Sequence, residues 1–153
     1  MSQTTQGQRP VRLGRFFTLA EFERTGTGLP NVAPAEAITC MQALVGHVLD
    51  PLRLAIGRPL RVSSGFRSLA VNTAVGGSPT SQHKEGMAAD VDADEMDAEE
   101  LARRVVALRL PFDQIIWYTP SRGGHLHISL NVGGQQRGSM LHAYVGGYRR
   151  WSP

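Results

Sequence analysis

The stretch SQHKEGMAADVDA, residues 81–93, brings a histidine, a glycine and an aspartate together at the start of a short apolar segment. Gly86 permits a tight turn there, because glycine has no side chain to obstruct one. His83 before the turn and Asp90 after it offer the imidazole and carboxylate donors that hold hydrolytic metal ions. The stretch therefore predicts either two ligands of a metal site or a polar loop leading into an ordinary strand. In the second interpretation His83 is a loop histidine and Asp90 a turn or capping residue.

The segment MAADVDA within this stretch is predicted to be a β-strand. Side chains of a strand point alternately to opposite faces. We therefore expect Met87, Ala89 and Val91 to face a core. Ala88 and Asp90 would face a cleft, where the small alanine leaves room beside the carboxylate.

The segment HLHISL, residues 125–130, carries two histidines at strand spacing. Alternation places His125, His127 and Ser129 on one face and the three aliphatic residues on the other. An H-x-H pair alone is weak support for a metal site, because polar strand faces often carry such residues. Together with residues 81–93, however, it supplies the third protein ligand that catalytic metal sites use while keeping a position open for water.

The rest of the pattern places helices first and gathers strands later. Thr18 and Glu21 form a capping-box signature, and an apolar stripe from about residue 35 to 56 predicts a long helix that Pro51 kinks or ends. The later predicted elements are the strand LRVSS, a short helix from Ser68 to Val75, the strand MAADVDA, the helix AEELARRVVAL with a capping box of Asp97 and Glu100, and the strands QIIWY, HLHISLN and MLHAYVGGY. Short connections between strands suit hairpins. We therefore expect an α+β fold with N-terminal helices packed on a mainly antiparallel sheet.

The chain of 153 residues is long enough for one domain with a core of its own. Residues 1–14 are polar and basic and are predicted to form a flexible arm, so the domain proper covers residues 15–153. Cys40 is the only cysteine, which excludes an intrachain disulfide and a thiolate metal cluster. We expect Cys40 to be a small buried hydrophobic residue.

Charge and hydropathy restrict the partners. The formal net charge is +3, and arginines cluster near both ends, which suits an anionic partner or simply a solvated basic surface. No aromatic-basic RNA motif or recognition-helix pattern occurs, so nucleic acid is not an expected partner. No apolar run approaches the ~20 residues of a membrane helix, and the first residues lack the apolar core of a signal peptide. We expect a monomer made in the cytoplasm, which reaches any external substrate by lysis, holin or virion delivery.

Several blocks of the sequence resemble the zinc D-alanyl-D-alanine carboxypeptidase family, most closely its short phage-type subgroup that cleaves murein peptides. The wider family includes vancomycin-resistance dipeptidases and shares its fold with the Hedgehog signalling domain. The resemblance runs from about Phe17 to Ser129, and its most specific part is the S-x-H-x-x-G-x-A-x-D spacing. The blocks are NVAP, LDPLRLAIGRPLRVSSGFRS, VNTAVGGSPTSQHKEGMAADV, FDQIIW and HLHIS.

The resemblance implies one zinc ion per chain, held by His83, Asp90 and His127. It also implies that Arg67, in SSGFRS, binds substrate and stabilises the transition state, a task that suits the permanent charge and bidentate hydrogen bonding of a guanidinium. Ser81 is expected to add a hydrogen bond to the substrate.

One position departs from the pattern of many relatives. These carry a carboxylate three residues or slightly more before the last zinc histidine, whereas this chain has Gly124 there and the QIIW strand continues into Tyr118. His125 then becomes the candidate general base, since an imidazole accepts a proton near neutral pH. Asp113 and Asp92 are lesser candidates and are expected to be structural.

The function implied by this resemblance is zinc-dependent cleavage of peptidoglycan stem peptides, by a D-Ala-D-Ala carboxypeptidase or a murein endopeptidase. The alternative is a zinc-containing binding or virion-structural domain of the same fold that no longer cleaves. The departure at Gly124 favours the alternative, while Arg67 and the H-x-H pair oppose it.

Overall fold

A six-stranded sheet and five α-helices make up the part of the chain that the computed structural model describes, residues 10–153. The α+β class and the mainly antiparallel sheet are confirmed. The sheet order is β1-β2-β4-β3-β5-β6, and β3 with β5 is the one parallel pair. The helices are α1 (Leu19–Glu23), α2 (Ala35–Leu44), α3 (Asp50–Ile56), α4 (Leu69–Ala74) and α5 (Ala98–Ala107), and the strands are β1 (Leu60–Ser64), β2 (Ala88–Ala93), β3 (Gln114–Tyr118), β4 (Leu126–Ser129), β5 (Ser139–Tyr144) and β6 (Gly147–Arg150).

The predicted long helix is present but changes type before Pro51. Helix α2 continues through a π-helical turn, Val45–Leu49, directly into α3, which ends at Gly57 in the left-handed conformation. A proline lacks the backbone N–H, and its ring crowds the carbonyl four residues earlier. The wider π turn just before Pro51 accommodates both effects, so the proline neither ends the helix nor interrupts its buried stripe.

The helices pack on one face of the sheet and leave the other face to polar groups. Buried residues of the α2–α3 helix share one core cluster with the aliphatic side chains of two neighbouring strands, Ala89 and Val91 of β2 and Leu126 and Ile128 of β4. Alternation in β2 and β4 thus runs as the sequence predicts. Asp90 and His127 consequently lie on the face opposite the main core.

Gly86 joins the histidine-bearing turn to β2 at a close approach to α2. Its φ is +74°, and a Cβ there would overlap the carbonyl oxygen of Ala37 and lie 3.0 Å from Cγ of Met41. No other residue type fits this position without moving the turn away from the helix.

We expect Gly86→Ala to lower the free energy of unfolding by about 2–5 kcal/mol, combining the left-handed backbone with overpacking. Gly76→Ala is the matched control, because Gly76 has φ +71° but no atom within 4 Å of its Cβ position. It should cost only about 1–2 kcal/mol. Urea unfolding of both variants measures the difference, and equal losses would contradict the role assigned to the close approach.

The C-terminal part differs from the sequence prediction. The predicted single strand MLHAYVGGY is wrong: it is a hairpin, in which β5 turns at Val145 and Gly146 into β6. The reversal uses Gly147, whose φ is +136°. The sequence does not predict this turn, because the surrounding residues are apolar and aromatic. The glycine pair is the only residue pattern there that indicates a turn.

The remaining expectations concern the N-terminal arm and membranes. Most of the arm predicted over residues 1–14 lies outside the described residues; within residues 10–14, Leu13 is buried and Arg12 forms a bridge with Thr18. Cys40 is partly exposed rather than buried. Across residues 10–153, none of the helices combines the length and the apolar character needed to cross a membrane.

Candidate metal centre

Three elements bring a carboxylate and two imidazoles to one point. His83 lies in a 3₁₀ turn, Gln82–Glu85, while Asp90 belongs to β2 and His127 to β4. One potential ligand atom from each residue lies within 4.8 Å of those of the other two. Two imidazoles and one carboxylate are a donor set suited to zinc and related divalent transition metals. The three residues that the sequence singles out are therefore adjacent in the fold.

Strand register places two of the three candidate ligands. Strands β2 and β4 are antiparallel neighbours, and Asp90 pairs directly with His127. Their side chains share a face, and Nδ1 of His127 lies 3.0 Å from Oδ1 of Asp90.

Local hydrogen bonds place the third candidate ligand. The Oγ of Ser81 accepts a hydrogen bond from the backbone N–H of His83 (3.3 Å) at the start of the 3₁₀ turn. Nδ1 of His83 lies 2.7 Å from the carbonyl oxygen of Gly65, which can only accept, so Nδ1 carries the proton. The other ring nitrogen, Nε2, faces Oδ1 of Asp90 at 3.3 Å. A backbone carbonyl that orients a ligating histidine in this way is a common feature of metal sites.

Asp90 is ionised in this environment. Burial alone would raise the pKa of its carboxyl, but charge interaction with His83 and the hydrogen bond from His127 outweigh burial and hold the pKa well below its ordinary value. A buried carboxylate that stays charged requires cationic or hydrogen-bonding partners. The histidines and Arg67 surround it, and a bound metal ion would add to the same compensation.

Arg67 lies beside the three ligands and is held on three sides. Its Nη2 donates to Oδ2 of Asp90 (3.4 Å), its Nε to Oγ of Ser64 (3.0 Å) and its Nη1 to Oδ1 of Asn72 (3.4 Å). The side chain of Asn72, in turn, donates to the carbonyl oxygen of Ser78. The guanidinium is thus fixed at the edge of the centre before any ligand binds, as a preorganised charge requires.

His125 lies close to the centre without being part of the ligand group. Its Nε2 is 3.8 Å from Oδ2 of Asp90, and its ring stacks on Tyr118 with centroids 4.3 Å apart. Burial lowers the pKa of His125, although the Asp90 carboxylate acts in the opposite direction. A neutral imidazole held near the centre is able to accept a proton.

The two lesser base candidates are engaged elsewhere. Asp113 is buried and accepts hydrogen bonds from the backbone and side chain of Arg137 and from Gln82. Asp92 forms an ion pair with Arg61 at the sheet edge. Both carboxylates are thus paired with arginine side chains.

Sequence reasoning did not identify Asn31 and Asn72, two buried asparagines that shape the loop around Arg67. The amide of Asn31 donates to the carbonyl oxygen of Phe66 (2.8 Å), and its Oδ1 accepts from the backbone N–H of Ser68 (2.7 Å). A single asparagine carries no sequence pattern that distinguishes such roles. His142 of β5 is also buried, and its ring stacks on Trp117 with centroids 3.5 Å apart.

Comparison with known proteins agrees with this geometry. A sequence model of the Peptidase M15 family matches residues 16–129. A zinc D-Ala-D-Ala carboxypeptidase of Streptomyces albus G is 33% identical over 116 residues, which cover 74% of this chain and 45% of that relative. The chain thus spans less than half the length of the curated relative that it matches. Helices α1 to α5 and strands β1 to β4 lie within the matched range, whereas the β5–β6 hairpin follows it.

Proposed function

Because the chain belongs to the peptidase M15 family, we propose that it is a zinc peptidase that removes the terminal residue from peptides ending in D-Ala-D-Ala. The observation that carries this proposal is the convergence of His83, Asp90 and His127 within 4.8 Å, beside a fixed arginine. The name of the Streptomyces albus G relative supplies the substrate class.

The three ligands and the residues around them have distinct tasks in this proposal. When bound by His83, Asp90 and His127, zinc supplies a Lewis acid that polarises a scissile carbonyl and acidifies water. His125 accepts the proton of the attacking water and passes it to the leaving amine. The ring of Tyr118 keeps the imidazole of His125 in place through the 4.3 Å stack.

Arg67 neutralises negative charge on the substrate. Its permanent charge and planar fork suit either the terminal carboxylate of a peptide or the oxyanion that develops as the bond breaks. Ser81 is proposed to contribute a hydrogen bond to substrate, in addition to its contact with the His83 backbone.

We expect Arg67→Ala to keep the metal and the fold but to reduce kcat/KM about a hundredfold, equivalent to about 3 kcal/mol of transition-state stabilisation. Arg67→Lys should recover only part of this, because a lysine keeps the charge and loses the fork. Steady-state kinetics measures kcat/KM, and elemental analysis measures the metal content. Arg104→Ala on α5 is the control. If Arg67→Ala turned over substrate nearly as fast as the unaltered protein, the role proposed for Arg67 would be contradicted.

The natural substrate that we propose is the stem peptide of peptidoglycan, cut by a murein peptidase of the phage type. Purified murein incubated with the protein, with and without a chelator, tests this, and mass spectrometry of the muropeptides identifies the bond. Release of D-alanine indicates a carboxypeptidase, whereas cleavage within the stem or cross-bridge indicates an endopeptidase. Intact murein beside a zinc-loaded protein would favour the alternative, a binding or virion-structural domain.

A further inference from the structure

We propose that a groove along the free edge of β1 binds an extended, negatively charged segment of the substrate peptide; the assignment of the segment to a substrate rests on the proposed function. β1 is the outermost strand of the sheet and pairs with β2 on one side only. Its backbone forms no hydrogen bond with any other described segment. A free strand edge exposes N–H and C=O groups that an added strand can satisfy.

The groove extends to Arg67, beside the metal centre. It consists of an outer cavity of about 530 Å³ and an inner cavity of about 250 Å³, which share Arg24 and Ser63 as lining residues. The inner cavity is also lined by Arg67, whose Nη2 is 3.4 Å from Oδ2 of Asp90. Arg67 therefore borders both the inner cavity and the centre.

The dimensions of the groove suit an extended peptide. The five residues of β1 extend over roughly 17 Å at about 3.3 Å per residue, which accommodates four or five residues of a paired strand. Leu60 and Val62 point into the core, while Arg61 and Ser63 remain exposed. The core therefore anchors one face of the strand, and the polar side chains lie exposed on the other face.

The charge of the groove selects an anionic occupant. Arg24 and Arg53 both line the outer cavity, and neither forms an ion pair with another described residue. The guanidinium of Arg53 is held 4.7 Å above the ring of Phe16. Arg61 is already paired with Asp92 and Asp94, so it adds little net charge. Glu21 and Asp92 also line the outer cavity, so its three arginines exceed its carboxylates by one. This excess of positive charge beside a free strand edge matches a peptide that alternates carboxylates with apolar side chains.

The test uses a fluorescein-labelled peptide, Gly-Glu-Val-Glu-Val-amide, and its counterpart with glutamine in place of glutamate. Neither contains a D-Ala-D-Ala end, so neither is a substrate. Fluorescence anisotropy with the full-length protein should show that the acidic peptide binds more tightly and that salt weakens its binding. The double variant Arg24→Gln/Arg53→Gln should lose about tenfold in affinity for the acidic peptide and little for the neutral one.

The double variant Arg104→Gln/Arg150→Gln is the matched control, because it removes the same charge from exposed arginines outside the groove. It should bind both peptides as the unaltered protein does. Amide hydrogen exchange should also show that the backbone of residues 60–63 gains protection when the acidic peptide binds. Equal affinity for the two peptides, an equal loss in the two double variants, or unchanged exchange at β1 would each overturn the proposal.

Repeating the titration after metal removal separates this proposal from the peptidase activity, since the groove residues are not metal ligands. Binding that persists after metal removal would support the groove. Failure of the zinc-loaded protein to hydrolyse any peptide would contradict only the proposed function. Hydrolysis by a protein that shows no preference for acidic peptides would support the proposed function and contradict the groove.

Discussion

His127→Ala is expected to lose its metal and, with it, hydrolytic activity to the background level. His127 is one of three candidate donors at the centre among residues 10–153, and its Nδ1 lies 3.0 Å from the Asp90 carboxylate. The two remaining donors, His83 and Asp90, do not make up the donor set that zinc requires. Elemental analysis after dialysis measures the metal directly.

His47→Ala is the matched control, because His47 is an exposed histidine on the π-helical turn of the long helix. It should retain one metal ion per chain and full activity. A full zinc complement in His127→Ala would contradict the assignment of the ligands, whatever happened to the rate. Circular dichroism of both variants confirms that the comparison concerns folded proteins.

His125→Ala is expected to keep its metal and to slow hydrolysis by about 10²–10⁴-fold, the usual effect of losing a general base. The physical reason is position: Nε2 of His125 lies 3.8 Å from Oδ2 of Asp90, close to the centre but outside the ligand group. Metal content and single-turnover rates, measured on the same preparation, separate a role in proton transfer from a role in metal binding.

His125→Glu is the second variant to measure, because its carboxylate restores a proton acceptor at this position. Many relatives carry a carboxylate near this position. It should recover part of the lost rate. Loss of metal in His125→Ala would make His125 a ligand or the support of one. Full activity with full metal would place the base elsewhere. Asp113 and Asp92 would then be tested next, although Arg137 and Arg61 already occupy their carboxylates.

The metal centre was largely predictable because its residues lie in short, specific patterns. Strand alternation put His125 and His127 on one face, and the spacing from His83 to Asp90 fitted a turn followed by a strand. The pairing of Asp90 with His127 was not predictable from these patterns, because strand register depends on contacts between distant segments. Only the structure shows that β2 and β4 are neighbours in the sheet.

Features that depend on long-range packing were less accessible to the sequence. Pro51 is predicted to kink or end the helix, and the structure contradicts the end, because the helix continues through a π-helical turn. The β5–β6 hairpin is predicted as one strand from the sequence, because Val145 at the turn continues the apolar run. The roles of Asn31 and Asn72 arise from loops that meet only in the folded chain. In each case, neighbours distant in sequence decide the conformation.

The most direct test of the central claim is mass spectrometry of a synthetic peptide ending in D-Ala-D-Ala after incubation with the zinc-loaded protein. The account predicts release of one D-alanine, which stops when a chelator removes the metal, resumes when zinc is returned, and is lost in His127→Ala. An intact peptide in the presence of protein that holds one zinc per chain would contradict it.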